Sequence, residues 1–136
     1  MGYTHYFPQK RAFLPEQWGN IVAAVSKAIQ HNVAGPEGED KPVLNDSEIT
    51  FNGIGENDSH EDFCITAGHD PSFNFCKTAN KPYDKYVVAA LCLCNHFAPG
   101  ALDISSDGDA SEWEDGRRLA EAALGAPVTL PDRIRL

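Results

Sequence analysis

Two groups of polar residues in this chain carry side chains suited to chemistry at spacings that a fold could bring together. The first centres on His60, Glu61 and Asp62. If a strand begins at His60, its side chains alternate, and Glu61 shares a face with Phe63 and Ile65. A carboxylate on a face that otherwise carries core residues needs a cation or a metal ion beside it. Lys77 has the parity of Phe73 and Phe75 and is the expected cation. An ion pair that fixes strand register is one reading of Glu61 and Lys77, and simple exposure is another. A third is a working pair in a pocket, as in metal-assisted phosphoester hydrolysis. His5, on an aromatic segment at the start of the chain, either donates to a core carbonyl or lies beside His60 on a neighbouring strand. With Tyr83 and Asp84 this gives a candidate catalytic set of His5, His60, Glu61, Lys77, Tyr83 and Asp84 for an acid/base or metal-assisted hydrolase.

The second group is Asp103, Asp107, Asp109 and Glu112 around Gly108. Its spacing does not meet the D-x-[DN]-x-[DN]-G pattern of a calcium loop, and turn formation and helix capping account for it. A divalent metal is the one cofactor these carboxylates suggest. As binding residues the candidates are Asn52, Asp107, Glu112 and Trp113, with Trp113 either a core anchor or an interface aromatic. No phosphate-binding glycine loop, H-E-x-x-H or G-x-S-x-G motif is present.

These residues must be positioned by a small framework. Tyr3 to Phe7 alternates and predicts a short strand. Leu14, Trp18, Ile21, Val22, Val25 and Ile29 recur at intervals of three and four, which predicts a helix from about Pro15 to His31 with proline in its first turn. Residues 34–46 are rich in glycine, proline and acids and read as a flexible surface loop. Strands are expected at Glu48 to Phe51, where Asn52-Gly53 favours a hairpin turn, at Glu61 to Ile65, and around Phe73 and Phe75. The three together suggest an antiparallel meander. A second helix opens at Pro82 and stops at Pro99-Gly100. Leu102 and Ile104 suggest a further strand. A third helix runs from a cap at Asp109 or Ser111 to Gly125, and Val128 to Leu136 is a terminal strand or a tail. The fold class expected is α+β, a mostly antiparallel sheet of about four to five strands with three helices, in a single domain over 1–136.

The chain has 136 residues, with 20 acidic against 11 basic side chains and a formal charge of -9. Ten of the acids lie between Asn32 and Asp70, facing one lysine, and eight follow from Asp103 onward beside four arginines. Such a balance disfavours nucleic acid and anionic membranes as partners and suits a basic protein. No apolar run approaches a membrane span, and the start of the chain lacks the pattern of an export signal, so the expected location is the cytoplasm. Cys64, Cys76, Cys92 and Cys94 contain no CxxC pair and read as reduced, core-filling thiols.

Several strings stand out: Gly2-Tyr3-Thr4-His5-Tyr6-Phe7, Phe51-Asn52-Gly53, His60-Glu61-Asp62-Phe63, Phe75-Cys76-Lys77-Thr78, Lys81-Pro82-Tyr83-Asp84-Lys85, Ser106-Asp107-Gly108 and Glu112-Trp113. Together, over Gly2 to about Leu119, they resemble a family of small phage, prophage and bacterial proteins to which no activity is assigned. The resemblance implies an accessory protein of phage or mobile-element type. With the charge, it makes a protein-interaction module the first functional expectation and the hydrolase the second. A protein partner is expected, with a second copy of the chain as a further candidate.

Overall fold

A computed structural model describes residues 2–136. In chain order it contains β1 (Thr4–Tyr6), α1 (Pro15–Ile29), β2 (Val43–Leu44), β3 (Glu48–Phe51), α2 (Gly55–Asp58), β4 (Phe63–Thr66), β5 (Phe75–Lys77), α3 (Asp84–Phe97), β6 (Ser105–Ser106) and α4 (Ala110–Leu124). The expectation of a single sheet of four to five strands with three helices is therefore corrected. Among the described residues six strands form two three-stranded sheets, ordered β5-β1-β6 and β2-β3-β4, and there are four α-helices, α2 being a single turn. All strand pairs within the sheets are antiparallel.

The helix boundaries follow local chemistry. Pro15 occupies the first turn of α1, and the Gln17 side chain accepts the Leu14 N–H at 3.0 Å. The stripe Trp18, Ile21, Val25 and Ile29 is buried, while Leu14, assigned to the same stripe, is 61% exposed because it precedes the helix. In α4 the cap is reciprocal: Asp109 accepts the Glu112 N–H at 3.1 Å and Glu112 accepts the Asp109 N–H at 3.2 Å. Gly125 ends the helix in the left-handed conformation. Tyr86 to Cys94 of α3 are buried without a break, since this helix packs against both α1 and α4. Close approach of α4 is set by Gly116, where a Cβ would lie 2.4 Å from Val88 Cγ1.

The predicted meander is also corrected. β3 and β4 do pair, with Phe51 opposite Phe63, but residues 52–62, including α2, join them in place of a tight Asn-Gly turn. β5 does not continue that sheet. It pairs with β1, setting His5 opposite Cys76 and Tyr6 opposite Phe75. The inward residue of β5 is Cys76, so Phe75 and Lys77 face outward, the reverse of the face assigned from bulk hydrophobicity. In the 34–46 segment, Ala34 bridges Asn52, a 3-10 turn spans Pro36–Gly38, and Val43 and Leu44 supply the edge strand β2. The strand expected at Leu102 and Ile104 is displaced to β6, with Leu102 making only an isolated bridge to Gln9. Val128 and Ile134 of the terminal segment are buried, and Ala110 N–H donates to Arg135 O at 2.6 Å.

Candidate functional site

The polar residues noticed in the sequence separate into a buried network on the inner face of β1 and others that lie apart from it. His5 is wholly buried at the middle of β1. Its Nε2 lies 2.7 Å from Asp84 Oδ1 and its Nδ1 2.7 Å from Ser106 Oγ. Asp84, in the first turn of α3, also accepts the Thr78 hydroxyl at 2.5 Å. Its charge is favoured there by the helix dipole. Ser106 Oγ accepts Gly108 N–H at 2.9 Å and Trp113 Nε1–H at 3.1 Å.

Hydrogen-bond accounting over His5, Ser106 and Asp84 assigns the proton positions. A hydroxyl has two lone pairs and one hydrogen; both lone pairs of Ser106 are taken by N–H donors, so its hydrogen goes to His5 Nδ1. A carboxylate only accepts, so His5 Nε2 carries the proton donated to Asp84. The result is a directed chain from Trp113 and Gly108 through Ser106 and His5 to Asp84. It has the residue types of a serine hydrolase relay, but an attacking hydroxyl needs a lone pair free for substrate, and Ser106 has none. What the chain does is bind β1, β6, α3 and the start of α4 into one unit. Edge contacts of His5 with Tyr3 and Trp113, at centroid distances of 5.2 and 5.3 Å, complete its surroundings. Burial, with nearby Asp84 and Glu112 adding to it, pushes the Tyr3 phenol well above its ordinary range.

The other predicted catalytic residues lie apart from this chain. Glu61 Oε1 accepts the backbone N–H of Lys77 at 2.7 Å, and Glu61 N–H donates to Lys77 O at 3.3 Å. Glu61 thus holds Lys77 by its main chain, and the expected carboxylate–ammonium pair is replaced by a rung at the edge of β5. Tyr83, also buried, donates its hydroxyl to Glu61 O at 2.6 Å, and burial raises its pKa. Cys76 Sγ sits 3.5 Å from the same carbonyl, and burial pushes its thiol up to about 12. The His60 imidazole is exposed, while its backbone is held by Asn52. Of the six residues, His5 and Asp84 alone meet through their side chains.

The candidate binding residues are mostly absorbed by structure. Asn52 is fully buried and saturated: its Oδ1 accepts Gly53 and His60 N–H, and its Nδ2 donates to His60 O and Asp62 Oδ1. It is the clamp that shapes the 52–62 connection. Glu112 closes the capping box of α4 by accepting the Asp109 N–H, and Trp113 is 0% exposed, a core anchor. Asp107 does reach the surface, with Oδ2 accepting Thr4 N–H at 3.0 Å and Oδ1 3.4 Å from the Tyr6 hydroxyl. Among the described residues no three His, Cys, Asp or Glu side chains are grouped as ligands for a metal ion. Two surface pockets of about 360 Å³ lie beside the end of α1 and at Glu37, Glu39 and Glu56, away from the His5 network.

On the outer face, Tyr6, Phe73 and Phe75 form a continuous aromatic surface. Phe73 lies 6.0 Å from Tyr6 and 6.0 Å from Phe75 between ring centroids. Phe73 is 63% and Phe75 48% exposed. Sequence reasoning set Phe73 and Phe75 on one strand face with Lys77 and gave Tyr6, Thr78 and Ser106 no role in a site. The available signal was the triplet Phe75-Cys76-Lys77: if the small thiol faces inward, its neighbours must face out.

No protein-family model, curated protein or solved structure matches the chain. No helix among the described residues is long and apolar enough to cross a membrane.

Proposed function

We propose that this chain is a protein-interaction module whose docking face is the outer surface of the β5-β1-β6 sheet, and that its partner is a basic protein. The observation that carries the reading is the aromatic group of exposed Phe73 and Phe75 with half-buried Tyr6, set on and just before strands whose inner residues His5 and Cys76 are fully packed. Rigid aromatic side chains supply large contact area at small conformational cost, and exposed aromatic groups of this kind are typical of interface hot spots. The net charge of -9 favours a cationic partner and works against single-stranded nucleic acid, which also stacks on aromatic sheet faces but requires a basic groove. The resemblance of the strings around His5, His60, Lys77 and Asp107 to small phage and prophage proteins supports an accessory role of phage or mobile-element type. Four free cysteines, three of them buried, suit a cytoplasmic setting.

The test is capture from a bacterial lysate on immobilised protein, wild type against Phe73→Ser/Phe75→Ser. A stoichiometric basic partner retained by the wild type and lost by the double variant is the expected result. Equal capture by both, with the double variant folded, removes this face from the reading.

A further inference from the structure

The backbone of β5 offers more than its side chains. In an antiparallel pair, alternate residues turn their N–H and C=O groups toward the partner strand and away from it. Phe7 N–H donates to Asn74 O at 2.9 Å and Thr78 N–H to Tyr3 O at 3.1 Å. With His5 opposite Cys76, the ladder to β1 is therefore carried by Asn74, Cys76 and Thr78. Phe75 and Lys77 must point their main-chain groups outward, to the free edge of the sheet.

At Lys77 both outward groups are already bonded, the N–H to Glu61 Oε1 and the C=O to Glu61 N–H. β4 then departs to pair with β3 in the other sheet and does not follow β5 further. At Phe75, among the described residues, neither outward group has a hydrogen-bond partner. Native proteins cover or break such edges, because an open one templates pairing with another chain. Here the edge is closed at Lys77 and left open at the residue that carries an exposed ring.

We infer that the β5 edge is a strand-addition site, at which an extended, basic segment of a partner protein pairs with the Phe75 main chain and lays alternate apolar side chains on Tyr6, Phe73 and Phe75. The inference rests on the docking face proposed above and names how the partner is held. Main-chain bonds would supply affinity and the aromatic surface selectivity, as in other strand-addition complexes. Cationic residues are favoured because carboxylates stand at both ends of the open stretch: Glu61 beside Lys77, and Asp70, which accepts Ser72 N–H at 2.9 Å just before Phe73. An extended segment alternates faces, so basic and apolar positions in turn fit this edge.

The probe is an acetylated octapeptide of alternating lysine and valine, with the glutamate–valine peptide as its counterpart, added to the full chain. Amide hydrogen exchange of Phe75 is followed in the wild type, which needs no variant to fold. Binding of the lysine peptide with slowed exchange at Phe75 is the expected outcome, with no comparable effect of the glutamate peptide. Phe75→Ala and Phe75→Pro then separate ring from backbone: both lose the ring, but only proline removes the outward N–H, and that N–H is not part of the ladder to β1. Proline should weaken the peptide about fivefold to tenfold beyond alanine, the worth of one hydrogen bond. Binding that perturbs Tyr6 and Phe73 but leaves Phe75 exchange unchanged overturns strand addition and leaves the docking face standing. Equal binding of both peptides, or no binding of either, overturns the basic segment as occupant. Protection at Phe75 that grows with protein concentration alone overturns it in favour of a second copy of this chain.

Discussion

Replacing Asp84 with alanine removes the acceptor on which the buried chain through His5 ends. Two charge-assisted hydrogen bonds are lost, from His5 Nε2 at 2.7 Å and from the Thr78 hydroxyl. The larger cost is the donor left behind: His5 is 0% exposed, and an unsatisfied buried N–H costs about 1–3 kcal/mol. Thr78 is also buried but can rotate its hydrogen, which adds about 1 kcal/mol. The favourable charge in the first turn of α3 contributes a further ~0.5 kcal/mol. The Asp84 side chain is 14% exposed, so a water can enter the vacated space and recover part of this. The expected loss is about 3 kcal/mol, roughly a hundredfold in the folding equilibrium. Asp84→Asn, which keeps an acceptor oxygen and loses the charge, should cost about 1 kcal/mol. Urea denaturation with an unchanged m-value is the assay, and nitrogen chemical shifts of His5 report whether the proton sits on Nε2 as the hydrogen-bond count requires. A loss below ~0.5 kcal/mol for the alanine variant, or a proton on Nδ1 alone in the wild type, refutes the reasoning.

Gly116→Ala should destabilise the chain by about 2 kcal/mol or more, because the new methyl meets Val88 Cγ1 at 2.4 Å and Lys85 O at 2.7 Å in a packed helix contact; thermal unfolding of this variant and of Val88→Ala/Gly116→Ala checks it, with partial recovery expected in the double variant. Glu114 gives a pH signature. Hydrogen bonds from Arg117 and Arg118 hold its carboxyl down at about 2. A folded-state pKa below the unfolded one means that this contribution is present above the ordinary glutamate range, near pH 4.3, and is lost as pH falls toward 2. Unfolding midpoints measured across that window should fall less steeply in Glu114→Gln than in the wild type, and parallel curves would sink the assignment.

The helices were legible in the sequence because their signals are local. Apolar spacing, Pro15, the Asp109–Glu112 cap and Gly125 are each read within one or two turns, and the structure places α1 and α4 on those marks. The strands were less legible, since a strand of two to four residues carries almost no periodicity and its partner is chosen by distant contacts. β5 shows the difficulty. Phe73 and Phe75 are the most apolar residues in their stretch, and hydrophobicity alone turns them inward. The pairing that decides otherwise is with β1, some seventy residues earlier, where His5 and Cys76 fill the inner face together. The same distance hid Ser106 and Thr78, two unremarkable hydroxyl residues that gain meaning only when β6 and the start of α3 are brought to His5. Glu61 was noticed for a sound reason, a carboxylate beside core positions, yet its partner proved to be a backbone N–H, which no composition reveals.

The buried network and the exposed face are two sides of one short strand, and their connection is one of register. Side chains of β1 alternate, so His5 faces inward because Tyr6 faces outward. A slip of one residue would carry Tyr6 into the space against Trp113 and His5 to the surface. A strand of three residues, paired with three residues of β5 and two of β6, is held only weakly by its ladder. The bonds from His5 to Asp84 and Ser106 supply what the ladder lacks, because their geometry is met in a single register and an unpaired His5 is costly in any other. Buried polar groups often add little net stability compared with a well-packed apolar core, and their use is to exclude alternatives. In this chain the alternative excluded is the one that would dissolve the aromatic surface: with His5 fixed, Tyr6 must stand opposite Phe75, and the open edge of β5 must fall where the rings are.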